Sequence, residues 1–356
     1  MLLYKFRYVR QIIIDNTNNS NDLTDYQILV TIDTESLISA GKMRDDCGDI
    51  RFTDSDGVTL LNYWIESGIN TKNTKIWVKV PNIPANSIKK IYLYYGNPDA
   101  TSLSNPDATF VFFEDFSSDP NTNGKWEIYR LSGDTANEFA YDPANRRVYL
   151  TKAATSKGAM AFFKDVNTPD SFRLITYGGA GGGTGADGWA FGFFKDISPY
   201  RTYGRSYGGG SLGLMAYDGS NKYISSGYAI EFDNYQNPGD PSANHNALVD
   251  TSVSEPYNHI TYVNTNVANE DNITHLIEIR VSDQKTQLLI DNTVYIDYTY
   301  TYNKTYRAIG FGAGTGGLTN NHWIEKYVIL TNWTYPEPTV KIGQERIVKS
   351  GILMDS

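Results

Sequence analysis

The chain has 356 residues, long enough for two hydrophobic cores, and carries a formal net charge of -9. Single cores usually stop growing below this length, so two domains are expected. Phosphate binding needs clustered Lys and Arg, which this acidic balance lacks; nucleic acid and anionic membranes are therefore not expected partners, and no membrane insertion is expected.

The 27 Tyr, 15 Phe, 6 Trp and 31 Gly are residues of pleated, half-buried surfaces and of the turns between them. No sustained 3.6-residue period appears, so the fold class read from the sequence is all-β. Cys47 is the single cysteine, which excludes an intrachain disulfide and suits a small buried apolar residue. At the N-terminus, MLLYKFRYVRQIII interrupts its apolar residues with Lys5, Arg7 and Arg10. It therefore lacks a signal-peptide core and a membrane span, and reads as a first strand. An extracellular, cell-surface or virion-surface location then implies either a removed leader or release without one, as in a virus particle freed by lysis.

In chain order, strand-like runs fall at 10–15, 26–31, 50–53, 62–65, 75–80 and 90–95, with turn signals at 54–57 and 96–98. This spacing predicts a small antiparallel sandwich over residues 1–110. Asp46, Asp49, Asp54 and Asp56 lie beside glycines and read as turn residues in preference to metal ligands. The polar stretch 99–108 reads as a linker to a second domain over 111–347, and 348–356 as a C-terminal tail. Glycine-rich segments at 178–185 and 208–213 are irregular and precede no helix, so they read as loops of close backbone approach and not as phosphate cradles.

Residues 228–245, YAIEFDNYQNPGDPSANH, hold the densest chemistry. Read as a strand over 228–237, alternation puts Glu231, Asp233, Tyr235 and Asn237 on one exposed face, and a turn at Pro238 and Gly239 returns Asp240 and His245 toward them. Clustered carboxylates repel unless a cation lies between them, and Ca2+, which takes six to eight oxygens, suits Asp233, Asp240, the Asn237 amide oxygen and the Tyr235 carbonyl. Imidazole favours a transition metal, so Glu231, Asp233, Asp240 and His245 suit a second ion such as Mn2+. A solvated acidic strand edge remains the alternative on spacing alone.

Two resemblances bear on these segments. DYQILV, DCGDIRFTDSDG, LNYWIE, IWVKVP and IYLYYGNPDATS resemble DUF2341, a domain of unknown function found in modular surface proteins. GADGWAFGF, GGGSLGL, YAIEFDNYQN with DP and NH after it, and GFGAGTGGLTNNH are similar to four signature segments of the L-type (legume-like) lectins, in family order. The second resemblance implies a concanavalin A-like jelly-roll β-sandwich, preceded here by the smaller one, and calcium-dependent carbohydrate binding without catalysis. It further implies that Asp187, after a cis peptide from Ala186, accepts hydrogen bonds from two sugar hydroxyls. Gly210 would donate its backbone N–H, Asn237 would serve both Ca2+ and sugar, and Gly317 and Leu318 would set monosaccharide preference. The expected partner is a glycan or polysaccharide of a host or cell surface. Homo-oligomers or a surface assembly would supply avidity.

Tyr235 and Trp189 are candidate floors for a pyranose ring, with a core role favoured for Trp189. The main rival is a retaining glycoside hydrolase of the same architecture, commonly written Glu-x-Asp-x-x-Glu on one strand. Glu231 and Asp233 fill its first two positions, but Gln236 falls at the third and cannot act as acid or base. The other alternative is a surface or virion decoration protein with a degenerate sugar site.

Overall fold

The computed structural model describes residues 3–253, 257–299 and 305–348. Within them the protein is almost entirely antiparallel β-structure, in two compact units: residues 1–110 with 331–356, and residues 111–330. No helix among the described residues is long and apolar enough to cross a membrane.

The first unit is a small sandwich of a five-stranded and a three-stranded sheet. The larger runs in the order Thr339–Ile347, Tyr8–Asp15, Ile88–Tyr95, Arg51–Thr53 and Leu60–Leu61; the smaller is Leu23–Ile32, Thr74–Ile83 and Tyr63–Ser67. Alternation delivers Ile12 and Ile14 from one sheet and Ile28, Val30, Ile76 and Val78 from the other into one core, where Cys47 is also buried. The N-terminus opens with a 3-10 turn at Leu3–Lys5, and the first strand starts only at Tyr8. The four aspartates do turn chemistry: Asp46 takes the Gly48 N–H and pairs with Arg44, Asp49 takes the Arg44 and Gly96 N–H groups, Asp54 pairs with Lys89, and Asp56 takes the Val58 and Thr59 N–H groups.

Two boundaries differ from the sequence reading. The expected second domain ran to residue 347, yet Thr339–Ile347 pairs along Tyr8–Asp15 in the first unit and packs Val340 and Ile342 on its core. An unpaired ladder edge at Tyr8–Asp15 is thereby satisfied by a strand more than 300 residues away in sequence. Of the expected tail 348–356, only Val348 falls within the described residues. The expected linker 99–108 is docked on the first unit, because its backbone satisfies the edge of Tyr63–Ser67. Asn105 donates its N–H to the Tyr63 carbonyl at 2.8 Å, and the Ser104 hydroxyl accepts from the Ile65 N–H at 2.9 Å.

The second unit is a larger antiparallel β-sandwich. An eight-stranded sheet, including Asn321–Asn332, Phe172–Gly181 and His275–Val281, faces a seven-stranded sheet across a core of Phe116, Phe139, Phe172, Phe191, Phe311 and Trp189. The seven strands run in the order Asn258–Asn264, His245–Asp250, Gly227–Asp233, Gly188–Phe194, Ala308–Gly314, Gly158–Phe163 and Trp126–Arg130. Trp189 stacks on Phe232 at 4.1 Å between centroids and is fully buried, which makes it core and removes it as a sugar floor. Truncating such a side chain to alanine costs about 3–5 kcal/mol.

The seven-stranded sheet is buried on its second face as well. Ala229, Ala247 and Val249 there lie under Leu212, Leu214 and Tyr257 from the loops above. That second face carries the site. Removing residues 339–356 should free one edge of Tyr8–Asp15, so its amides should exchange hydrogen distinctly faster than in the full chain; unchanged exchange would contradict the pairing.

Candidate metal and ligand site

Strand alternation accounts for the first half of the site. In Gly227–Asp233, Tyr228, Ile230 and Phe232 enter the core between the sheets, which sends Ala229, Glu231 and Asp233 to the other face. The next strand pairs Asp233 with His245 and Glu231 with Ala247, so the imidazole shares that face. Glu231 and Asp233 are 2% and 3% exposed, where an open strand edge had been expected. The loops above exclude the solvent that would otherwise screen them.

The strand also ends sooner than the sequence suggested. Asp233 is its last residue, and its Oδ1 accepts the Tyr235 N–H at 2.8 Å, turning the chain away. The Asn234 N–H reaches the Asp187 carbonyl at 2.8 Å. Tyr235 and Asn237 therefore lie in a loop, and do not continue the strand face. That loop is fixed by a reciprocal pair: the Asn237 N–H donates to Asp240 Oδ2 at 2.6 Å, and the Asp240 N–H to the Asn237 carbonyl at 3.1 Å.

The other side of the site comes from two glycine-rich segments. A cis peptide joins Ala186 to Asp187, and the Asp187 N–H donates to the Gly314 carbonyl at 3.1 Å. The Thr319 carbonyl accepts from Thr184 and Gly185, which ties the 183–187 loop to 315–319. A Cβ on Gly316 would stand 3.2 Å from Asp187 Oδ2, whereas one on Gly317 would meet nothing, and Leu318 is exposed. Gly210 lies against Asn237: a Cβ there would be 2.5 Å from the Asn237 Nδ2, so only glycine leaves the amide its place. A cavity of about 280 Å3 opens between Gly210, Glu231, Asp233, Asn237, Asp240 and Tyr257.

Electrostatics in this cavity are one-sided. Burial pushes the Asp233 carboxyl well above the usual carboxylate range, and the negative charges of Glu231, Asp240 and Asp187 push it further. Asp240 is raised by burial and by Glu231. Burial would also raise Glu231, but hydrogen bonds from His245 and His259 outweigh it and hold this carboxyl low. Proton affinity is thus raised at Asp233 and Asp240 and lowered at Glu231. A hard cation matches this donor set: two buried carboxylates, a half-buried third, an amide and loop carbonyls. Asp233, Asn237 and Asp240, with the Tyr235 carbonyl, are the residues that would hold Ca2+.

Sequence reasoning missed three contributors. Tyr257 lines the cavity and donates its hydroxyl to the Ser211 carbonyl at 3.0 Å. The Asn269 amide donates to the carbonyls of Asp233, His245 and Thr265 at 3.0–3.1 Å, fastening both strand ends from below. His259 approaches Glu231 Oε1 at 2.8 Å. No local motif marks any of them, because each acts through a partner distant in sequence. Gln236 lies in the loop beyond the strand, away from the strand alternation that a hydrolase triad would need.

The ion-free site has a definite stability signature. A carboxyl whose folded-state proton affinity exceeds the unfolded one stabilises the protein at low pH and loses that contribution as pH rises. Without calcium, the unfolding temperature should therefore fall as pH rises above the ordinary Asp range, and Asp233→Asn should be more stable than the parent at pH 7. Added Ca2+ should reverse the order. Thermal unfolding in chelator and in Ca2+ checks this, and an Asp233→Asn chain no more stable in chelator would contradict it. Separately, Asn269→Ala should cost about 1–3 kcal/mol in denaturant unfolding, since it leaves buried carbonyls without donors.

Residues 46–129 match a family model described as "Domain of unknown function (DUF2341)". The match runs past Phe110, where the first unit's N-terminal segment ends, and begins after the DYQILV segment. No curated protein matches the chain. Among solved structures, the VIP36 exoplasmic/lumenal domain in its Ca2+/Man-bound form is similar at 17% identity and a TM-score of 0.44, covering 61% of this chain and 90% of that one. Its Ca2+/Man3GlcNAc-bound form gives 17% and 0.45, over 62% and 95%. The Emp47p carbohydrate recognition domain gives 14% and 0.45, over 65% and 100%. The chain thus carries a DUF2341 match at residues 46–129 and has, at low identity, a likeness to the VIP36 exoplasmic/lumenal domain and the Emp47p carbohydrate recognition domain.

Proposed function

We propose that the second unit is a calcium-dependent, non-catalytic carbohydrate-binding module acting outside the cell, on a cell or virion surface. The observation that carries this reading is the meeting of Gly210 with Asn237 beside the buried carboxylates. An amide held there can present its oxygen to a cation and its NH2 to a ligand hydroxyl at the same time.

On this reading Asp187, 5% exposed, accepts hydrogen bonds from two vicinal sugar hydroxyls. Gly210 offers its N–H from a segment without a side chain, and the backbone of Gly317 and Leu318 borders the opening. Leu318 and Tyr235, 43% and 39% exposed, supply apolar surface for the C–H face of a pyranose. Bound Ca2+ would neutralise Asp233 and Asp240 and fix the 234–240 loop. Glu231 and His245, with Asp233 and Asp240, are the ligands for a second ion, Mn2+ in the resemblance. Residues 1–110 with 331–356 form a module of their own, whose activity is open to the same binding assays.

A glycan array run in Ca2+ and again in chelator tests this. Binding should require calcium, and Asp187→Ala should lower affinity at least about tenfold with an unchanged unfolding temperature. Binding that persists in chelator, or that Asp187→Ala leaves intact, would overturn the reading.

A further inference from the structure

Next to the calcium ligands, three side chains from three adjacent strands point their donor atoms at one another. His245 Nε2 lies 3.1 Å from Glu231 Oε1, His259 Nε2 lies 2.8 Å from the same oxygen, and the two Nε2 atoms are 3.2 Å apart. All three side chains are screened from solvent, at 0%, 2% and 11% exposure for His245, Glu231 and His259. We propose that Glu231, His245 and His259 form a transition-metal site with two imidazole ligands, selective for Zn2+-class ions over Mn2+. It rests on the reading of Glu231 and His245 as ligands of a second ion, and adds a nitrogen ligand that this reading does not contain.

The second ring nitrogens fix the orientation. His245 Nδ1 is 3.0 Å from the Ser242 carbonyl, which can only accept, so Nδ1 carries a proton and Nε2 is the ring nitrogen aimed at Glu231 and His259. His259 is likewise hydrogen-bonded to the backbone of Tyr257. Metal-ligating histidines are anchored in this way, with one nitrogen held by a carbonyl and the other free to bind. Without a metal, protons on these ring nitrogens bridge to the Glu231 carboxylate; a bound ion displaces them and takes the two nitrogen lone pairs and the carboxylate oxygen as ligands. Ligand atoms about 2.0–2.1 Å from a tetrahedral centre stand roughly 3.3 Å apart, within a few tenths of an ångström of two of the three separations here.

A β-bulge puts His259 in place. Between the strands His245–Asp250 and Asn258–Asn264, His245 pairs with Asn264 and Ala247 with Tyr262, and plain alternation from there would turn His259 to the opposite face. The register shifts between Leu248 and Val249, so that Val249 pairs with His259. Re-aiming a side chain is what such bulges do next to sites. Ile260 then packs toward the core between the sheets while His259 turns to Glu231. Raising the number of imidazole ligands from one to two moves preference away from Mn2+, which favours oxygen, toward Zn2+, Co2+ and Ni2+.

The test is calorimetric titration of the full chain, saturated with Ca2+, with Zn2+ and separately with Mn2+. The parent should bind one Zn2+ more tightly than Mn2+, and His259→Ala should cut the Zn2+ to Mn2+ affinity ratio at least about tenfold. An unchanged ratio would overturn the proposal. On the unaltered chain, Zn2+ should shift the imidazole 15N resonance of His259 Nε2 and leave Nδ1 protonated; an unmoved resonance would overturn it equally. Asn237→Ala separates the two readings: calcium binding unaffected by that change would count against the calcium site alone, whatever the Zn2+ titration gives.

Discussion

Like-charge repulsion among Asp187, Glu231, Asp233 and Asp240 is the constraint around which the second unit's candidate site is arranged. Folding brings these carboxyls to the end of one strand and covers them with loops, which removes the water that would screen them. Every element around them either supplies a compensating partner or keeps the loops in place. His245 and His259 compensate Glu231. Asn269 holds the carbonyls of Asp233 and His245, and the reciprocal Asn237 and Asp240 bonds close the loop above. What remains uncompensated is concentrated on Asp233, and a cation is the simplest group that offsets it.

The same constraint links binding to stability. A protein that stores repulsion in a site is less stable empty than filled, and whatever neutralises the charge becomes part of the fold's free energy. Gly210, Gly314, Gly316 and Gly317 contribute no side chains of their own. A Cβ at Gly210 would crowd the Asn237 amide, and one at Gly316 the Asp187 carboxylate, so these glycines leave both side chains room beside the charged cavity.

Much of this was legible from the sequence, to a limit set by how each residue acts. Alternation in YAIEFD fixes the common face of Glu231 and Asp233 without any tertiary knowledge, since the apolar residues between them must enter the core. It does not reveal that the opposite face is buried too, because that depends on Leu212, Leu214 and Tyr257 arriving from separate segments. The strand's end at Asp233 was missed because an Asp side chain capping Tyr235 overrides an otherwise continuing pattern. His259 was invisible for a related reason: only a register shift, which no local motif announces, turns it to the ligand face. The C-terminal segment 339–347 reads from sequence only as part of the second domain, yet it is a strand whose partner at Tyr8–Asp15 is set by an open ladder edge at the far end of the chain.

On the proposed function, one amide, Asn237, joins the cation and the sugar into a single linked equilibrium. Linkage is reciprocal, so a glycan that binds better with calcium must raise calcium affinity by the same factor. Calcium titration by calorimetry, with and without a saturating glycan ligand, measures this directly. Ca2+ should bind more tightly in the presence of the sugar, with the gain abolished by Asn237→Ala; identical calcium affinities with and without sugar would contradict this linkage.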